Sequence, residues 1–285
     1  MALLPPFYLD TVVAIGVGDD PTKRHWIGTG FIYGRFVEKI ANREAKNYRL
    51  WLITNKHVLK DYRDVYIKFN SAQDTQSKDY KVPLIARNGR VRWVGHPTES
   101  VDVAAIHLYA KFLEKEERRF AFFQSDSHTM NRENMRAAGV TEGDHVFVLG
   151  FPMGLVKAER QYVICRGGCI ARVRDFVEGE TSDFLIDAPV FPGNSGGPVI
   201  LCPSTLAIEG TNPINKADLV GIVKAYVPYI DMAVSQQTLR ARITFEENSG
   251  LATVESVDSI IETVELGEKR LTSRVVKARG RAKRR

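Results

Sequence analysis

Short runs of β-branched and aromatic residues, separated by turn formers, dominate the chain. They are Thr11–Gly16, Gly30–Tyr33, Leu50–Thr54, Val65–Phe69, Val103–Leu108, His145–Leu149, Gln161–Cys165, Phe184–Asp187, Pro198–Leu201 and Leu219–Tyr226. Their spacing predicts an all-β sandwich or barrel, and no strand–helix alternation points to a parallel sheet. Lys111 to Ala138 breaks the rhythm with polar, charge-rich sequence such as Glu114-Lys115-Glu116-Glu117-Arg118-Arg119. It predicts a connection between two β units, with room for a short helix. Val257, Ile260, Ile261 and Val264 recur at i, i+3, i+4 and i+7, which predicts a helix over Val257–Leu266. The expected organisation is a first β unit over 1–115, a linker over 116–138, a second β unit with a short helix over 139–267, and a tail over 268–285.

Composition adds limits to this picture. With 44% hydrophobic and 26% charged residues in 285, the chain can bury a core and is not a disordered polymer. No apolar run approaches ~20 residues, so no transmembrane helix is expected. Met1 to Asp10 has two prolines and no basic residue, unlike a secretory signal. The expectation is a soluble cytoplasmic protein. Cys165, Cys169 and Cys202 are too few for a disulfide framework and lack zinc spacing, and are expected to be reduced thiols in strands. The net charge of +6 comes from the end of the chain. Lys269 to Arg285 holds nine basic residues and no acidic one, leaving 31 basic and 34 acidic residues elsewhere. The tail is expected to be disordered.

Three segments carry candidate chemistry. In Leu52-Ile53-Thr54-Asn55-Lys56-His57-Val58, a strand ends and presents His57. In Val101-Asp102-Val103-Ala104-Ala105-Ile106, a lone carboxylate opens an apolar strand. In Phe191-Pro192-Gly193-Asn194-Ser195-Gly196-Gly197-Pro198, a serine sits within a glycine-rich turn. Each alone has an ordinary structural explanation; their conjunction matches the needs of acyl transfer. A serine hydroxyl needs a base to take its proton, and imidazole titrates in the right range. A carboxylate on the other ring nitrogen fixes the tautomer and stabilises the imidazolium. Glycines around Ser195 let backbone N–H groups converge on an oxyanion. The expected oxyanion site is Gly193, Asn194 and Ser195, with N–H groups from Gly193 and Ser195 and Asn194 shaping the turn.

These segments resemble the trypsin/chymotrypsin-like serine endopeptidases, and within them the bacterial HtrA-type and related trypsin-like peptidases. Thr54-Asn55-Lys56-His57-Val58 is similar to the histidine motif, Asp102-Val103-Ala104-Ala105-Ile106 to the aspartate motif, and Asp187 through Pro198 to the serine motif. Gly28-Thr29-Gly30-Phe31, Gly143 to Gly154, Val220-Gly221-Ile222 and Asn248-Ser249-Gly250-Leu251 support it. The resemblance implies two six-stranded antiparallel β-barrels with the active site between them. His57 and Asp102 would come from the first barrel and Ser195 from the second, with no metal or organic cofactor. HtrA-type proteins usually carry a PDZ domain after the protease domain, and with a short basic stretch here instead, a PDZ-driven oligomeric quality-control role is not expected.

The resemblance also places a substrate pocket at Val190, Phe191, Val223, Lys224 and Ala225. Pro189 stands where trypsin-type enzymes carry a carboxylate, which disfavours a basic P1 residue. Val223 stands where glutamyl endopeptidases are expected to carry histidine, which lowers an acidic P1, although Lys224 keeps one open. The expected P1 is small or medium and apolar, and Asp187 is expected to be a buried structural carboxylate. His25, His96, His107, His128 and His145 show no metal spacing. Trp26, Trp51 and Trp93 are expected in the core. The expected partners are protein or peptide substrates. The alternative is a catalytically silent binding module on a protease fold whose basic tail binds an anionic partner.

Overall fold

The computed structural model describes residues 3–39, 46–73, 75–204, 211–238 and 240–282, with side chains omitted at 241 and over 274–282. The first β unit contains β1 (Val12–Val17), β2 (His25–Lys39), β3 (Lys46–Thr54), β4 (Asp64–Phe69), β5 (Lys78–Pro83), β6 (Val94–Gly95) and β7 (Ala104–Leu108). A one-turn helix α1 (Lys56–Leu59) follows β3, and α2 (Ala110–Lys115) follows β7. The linker holds β8 (Phe123–Gln124), parallel to β2, and α3 (Arg132–Ala138). Helix α3 starts where Asn131 accepts the Asn134 N–H and stops at left-handed Gly139.

The second unit contains β9 (His145–Gly150), β10 (Ile164–Arg172), α4 (Arg174–Glu178), β11 (Asp183–Asp187), β12 (Pro198–Leu201), β13 (Asp218–Val234) and β14 (Ala241–Ser256). Its six strands form a closed antiparallel barrel in the order β10-β11-β14-β13-β12-β9. The first unit departs from the expected second closed barrel. Among the described residues its strands run β5-β4-β1-β2-β3-β7-β6 with no strand pairing that joins the ends, so it is a half-barrel sheet. The reason is the brevity of β6, which reaches only Ala104 and Ala105 of β7.

Two apolar cores fill the units, and a third joins them. Phe31, Trp51 and Val103 of the first meet Leu149, Phe151, Ile200 and Leu219 of the second, with Val257, Ile260 and Val264. The last three lie on α5 (Val257–Ala282), which leaves the second barrel and packs on β6 and β7. The helix begins where periodicity predicts but does not stop at Leu266. Glu268 pairs with Arg49 and accepts the Trp51 indole N–H at 3.0 Å. Where the composition predicts a disordered tail, the backbone is helical through Ala282, and 283–285 lie outside the described residues. Trp51 is in the core, whereas Trp26 and Trp93 are half-buried beside it. Cys165, Cys169 and Cys202 are free thiols. No helix among the described residues is long and apolar enough to cross a membrane.

Candidate active site

His57 is presented by a local conflict of burial. Helix α1 turns Val58 and Leu59 into the core, which leaves the His57 side chain 41% exposed at the mouth of a cleft. Its Nδ1 lies 2.5 Å from Asp102 Oδ2, and its backbone N–H donates to Asp102 Oδ1 at 3.1 Å. An ionised carboxylate can only accept, so Nδ1 carries the proton and Nε2 is left as the basic nitrogen. Asp102 precedes β7, and its carbonyl accepts the Asn55 side-chain N–H at 2.7 Å.

The second barrel reaches across to hold this loop. Glu255 on β14 is fully buried, and its Oε1 accepts the Asp102 N–H at 2.9 Å. The same oxygen lies 2.9 Å from Lys224 Nζ on β13, which also donates to the Ser100 carbonyl at 2.9 Å. Burial presses the Lys224 ammonium towards its neutral form. The Glu255 carboxylate, with Asp183 and Asp102 nearby, outweighs this and raises its pKa above the ordinary lysine value.

Ser195 lies in a turn that only glycine can build at two positions. Gly193 has φ +95°, and a side chain there would meet the Phe151 carbonyl at 2.4 Å. Gly196 has φ +86°, with the Thr29 carbonyl 2.0 Å from where its Cβ would be. The approach at Gly196 is close because Thr29 grips the turn. Its N–H donates to the Ser195 carbonyl at 2.9 Å. Its hydroxyl donates to the Gly193 carbonyl at 2.7 Å and accepts the Phe151 N–H at 3.1 Å. The Pro192 carbonyl is held by the Met153 N–H at 2.6 Å, with Met153 itself at φ +55°. In a trans peptide C=O and N–H point opposite ways, so the Gly193 N–H points away from Met153. The Ser195 hydroxyl donates to the Lys224 carbonyl at 3.3 Å, not to His57.

His57, Asp102 and Ser195 line one cleft of about 410 Å³ with Val190, Phe191, Pro192, Lys224, Ala225 and Tyr226. Two expectations, on Val223 and Asp187, need correction, and the roles of Lys224 and Asn194 gain detail. Val223 does not line it: the side chain is fully buried in the second-barrel core, so it says nothing about P1. Lys224 lines it, but its ammonium is engaged by Glu255. Asn194 is fully buried, and its N–H donates to the Phe191 carbonyl at 2.9 Å while its Oδ1 accepts the Phe191 N–H at 3.1 Å. It closes the turn and cannot be an oxyanion donor through its own N–H. Asp187 is exposed at the end of β11, not buried.

The sequence also left residues unassigned. Thr29 lies in a stretch that resembles the family, yet its grip on the serine turn spans 164 positions to Gly193. Glu255 gave one signal, a carboxylate between the apolar residues Val254 and Val257. Pro192 and Tyr226 adjoin predicted pocket residues and complete its wall.

Residues 28–204 match the family model of the trypsin-like peptidase domain, a span that includes His57, Asp102 and Ser195. No curated protein sequence is significantly similar to the chain. Among solved structures, it is similar to the MamO protease domain from Magnetospirillum magneticum, at 14% identity over 90% of this chain and 96% of that one, with a TM-score of 0.46. It is also similar to the inactive form of the Rv3671c protease of M. tuberculosis H37Rv, at 16% identity over 90% and 89%, with a TM-score of 0.43. With more than half of its length matched by the family model, the chain belongs to the trypsin-like peptidase domain family.

Proposed function

We propose that the protein is a serine endopeptidase in which Ser195 is the nucleophile, His57 the general base and then acid, and Asp102 the orienting carboxylate. The observation that carries this reading is the His57–Asp102 pair on the cleft that Ser195 also lines. Ser195 Oγ attacks the scissile carbonyl carbon while His57 Nε2 takes the hydroxyl proton. The oxyanion accepts the N–H groups of Gly193 and Ser195. The imidazolium, stabilised by Asp102, returns the proton to the leaving amine, and an acyl-serine remains. Water then attacks the acyl carbon with His57 again as base, releasing the acid and restoring Ser195.

The Lys224 carbonyl has a part in this sequence. In the resting site it accepts the Ser195 hydroxyl. A substrate backbone N–H that takes the same acceptor frees the hydroxyl to turn to His57, so binding itself prepares the nucleophile. The P1 residue is small or medium and apolar. Val190, Phe191, Pro192, Ala225 and Tyr226 form the wall, and Glu255 draws the Lys224 ammonium away from it.

A fluorophosphonate probe with mass spectrometry of the adduct tests the reading. The adduct is expected on Ser195 and absent from Ser195→Ala. A folded wild type that never labels would overturn the proposal and leave a binding module on the protease fold.

A further inference from the structure

The gap in the first sheet forms a second groove, of about 740 Å³, that shares no residue with the cleft. It lies between β5 and Ile106–Leu108 of β7, which among the described residues pair only with β4 and with β3 respectively. The hairpin after β5 joins the two at one end, where the Arg92 N–H donates to the Leu84 carbonyl and the Ala86 N–H to the Arg90 carbonyl, both at 2.8 Å; beyond it neither edge has a strand partner among the described residues. Its floor is the edge of the first unit's core, where Ile67, Phe69, Ile106, Leu108 and Leu113 are already packed, and Val91 adds open apolar surface above it. At its rim Tyr109 is 71% and Phe112 49% exposed. Such an edge with apolar surface attracts an added strand.

The charge of the groove narrows the occupant. Arg87, Arg90 and Arg92 stand on the small hairpin beside it, where Ile85 bridges Val91. All three are exposed, and none forms an ion pair with a described residue. Lys81 also lines the groove, but Asp19 and Asp64 already pair with it. No carboxylate lines the groove among the described residues. The chain's own tail is a poor occupant. Leu271 lines one end, and from Lys269 to Arg285 the sequence carries nine cations and no acid. Like charges disfavour the tail in the groove and add to its attraction for an anion.

We propose that this groove binds an extended acidic segment of another protein, which adds as a strand along the open edge, places aliphatic side chains inside and sets carboxylates on Arg87, Arg90 and Arg92. A strand presents alternate residues to opposite faces, so an acidic–aliphatic alternation fits an apolar floor with a cationic rim. A nucleic acid would satisfy the arginines but would leave the exposed apolar surface of Val91, Tyr109 and Phe112 without an aliphatic partner.

The test uses the full chain carrying Ser195→Ala, so that cleavage does not confuse binding and the result does not depend on the proposed catalysis. The probe is a fluorescein-labelled peptide alternating glutamate with leucine or isoleucine, read by anisotropy. Its lysine counterpart and a labelled oligonucleotide serve as competitors. The acidic peptide is expected to bind, and to weaken by about tenfold or more as salt rises from low to several hundred millimolar. Arg87→Glu/Arg90→Glu/Arg92→Glu is expected to lower affinity at least about tenfold, with an unchanged thermal melt. Tyr109→Ala, another exposed change, is expected to weaken binding without altering its salt dependence. The proposal is overturned if the acidic peptide does not bind or binds no better than the lysine peptide. It also falls if the triple reversal leaves affinity intact while removal of 269–285 abolishes it, or if the oligonucleotide binds more tightly through the same arginines.

Discussion

Each strand of the second barrel pairs on both sides, whereas β5 and the end of β7 in the first sheet each keep a bare edge. The closed barrel carries the serine turn, the part of the site with least conformational tolerance. The open sheet carries His57 and Asp102, and its loops gain rigidity where they touch the barrel. Thr29 reaches over to the serine turn, while Glu255 and Lys224 reach back to the residues around Asp102. The comparison teaches that the site is made rigid by contacts across the cleft more than by closure of both halves. That leaves the far side of the first sheet free to remain open.

The largest expected effect breaks the chemistry without touching the comparison. Ser195→Ala should lower kcat by roughly 10⁴–10⁶ and leave the thermal melt in place. A variant that kept wild-type turnover would remove Ser195 from its role. Next comes the reach from barrel to sheet. Lys224→Met leaves Glu255 buried without its cation, a change expected to cost about 3–5 kcal/mol in chemical denaturation, partly recovered by adding Glu255→Gln. A wild-type denaturation midpoint in the single variant would show that the clamp contributes nothing. The pH dependence has a definite sign. The folded pKa of Lys224 is raised above its ordinary 10.5, so its contribution is complete below that value and is lost only as pH climbs through the raised one.

A smaller effect belongs to the opposite reach. Thr29→Val removes the hydroxyl that donates to the Gly193 carbonyl and accepts the Phe151 N–H, at about 1–3 kcal/mol. Probe labelling should slow with it, and Thr29→Ser should restore the rate. If Thr29→Val labels at the wild-type rate, the serine turn holds itself.

The smallest concerns the barrel alone. The Glu142 carboxylate accepts the Val173 and Arg174 N–H groups at 3.0 and 3.2 Å. Burial pushes its pKa up, but these bonds outweigh burial and bring it to about 2 from 4.5. Its contribution is present above 4.5 and is lost as pH falls towards 2. Glu142→Gln should therefore flatten the acid limb of the stability profile, by less than about 1 kcal/mol because the group is partly exposed. An unchanged acid limb would show that the carboxylate makes no difference.

Much of this was legible in the sequence, but unevenly. Apolar runs such as Leu50–Thr54 and Pro198–Leu201 fall within or coincide with strands because a buried strand needs little beyond its own residues. β14 was not predicted, since Glu246-Glu247-Asn248-Ser249-Gly250 has the composition of a turn. The structure keeps it in a strand that bends at Gly250, φ +87°. The tail's composition suggested disorder, yet Glu268 finds Arg49 and Trp51 far away in sequence, and α5 runs on. Of the cleft, His57, Asp102 and Ser195 were legible from their local settings. Val223 was misplaced for a reason that local pattern does not contain.

The sequence by itself determined a β-rich chain, an ordered histidine, aspartate and serine in suitable local settings, and a turn with glycines where φ is positive. These depend on neighbouring residues and on the absence of Cβ atoms. Only the tertiary structure decided that the first sheet stays open, that Glu255 holds Lys224 and the Asp102 amide, and that Val223 faces the core while Lys224 borders the cleft. The physical reason is pairing between segments far apart in sequence. In β13 the pairing with β14 shifts between Val223 and Ala225, so Ala225 borders the cleft instead of returning to the core face of Val223. That shift is set by the partner strand, not by the residues that it moves.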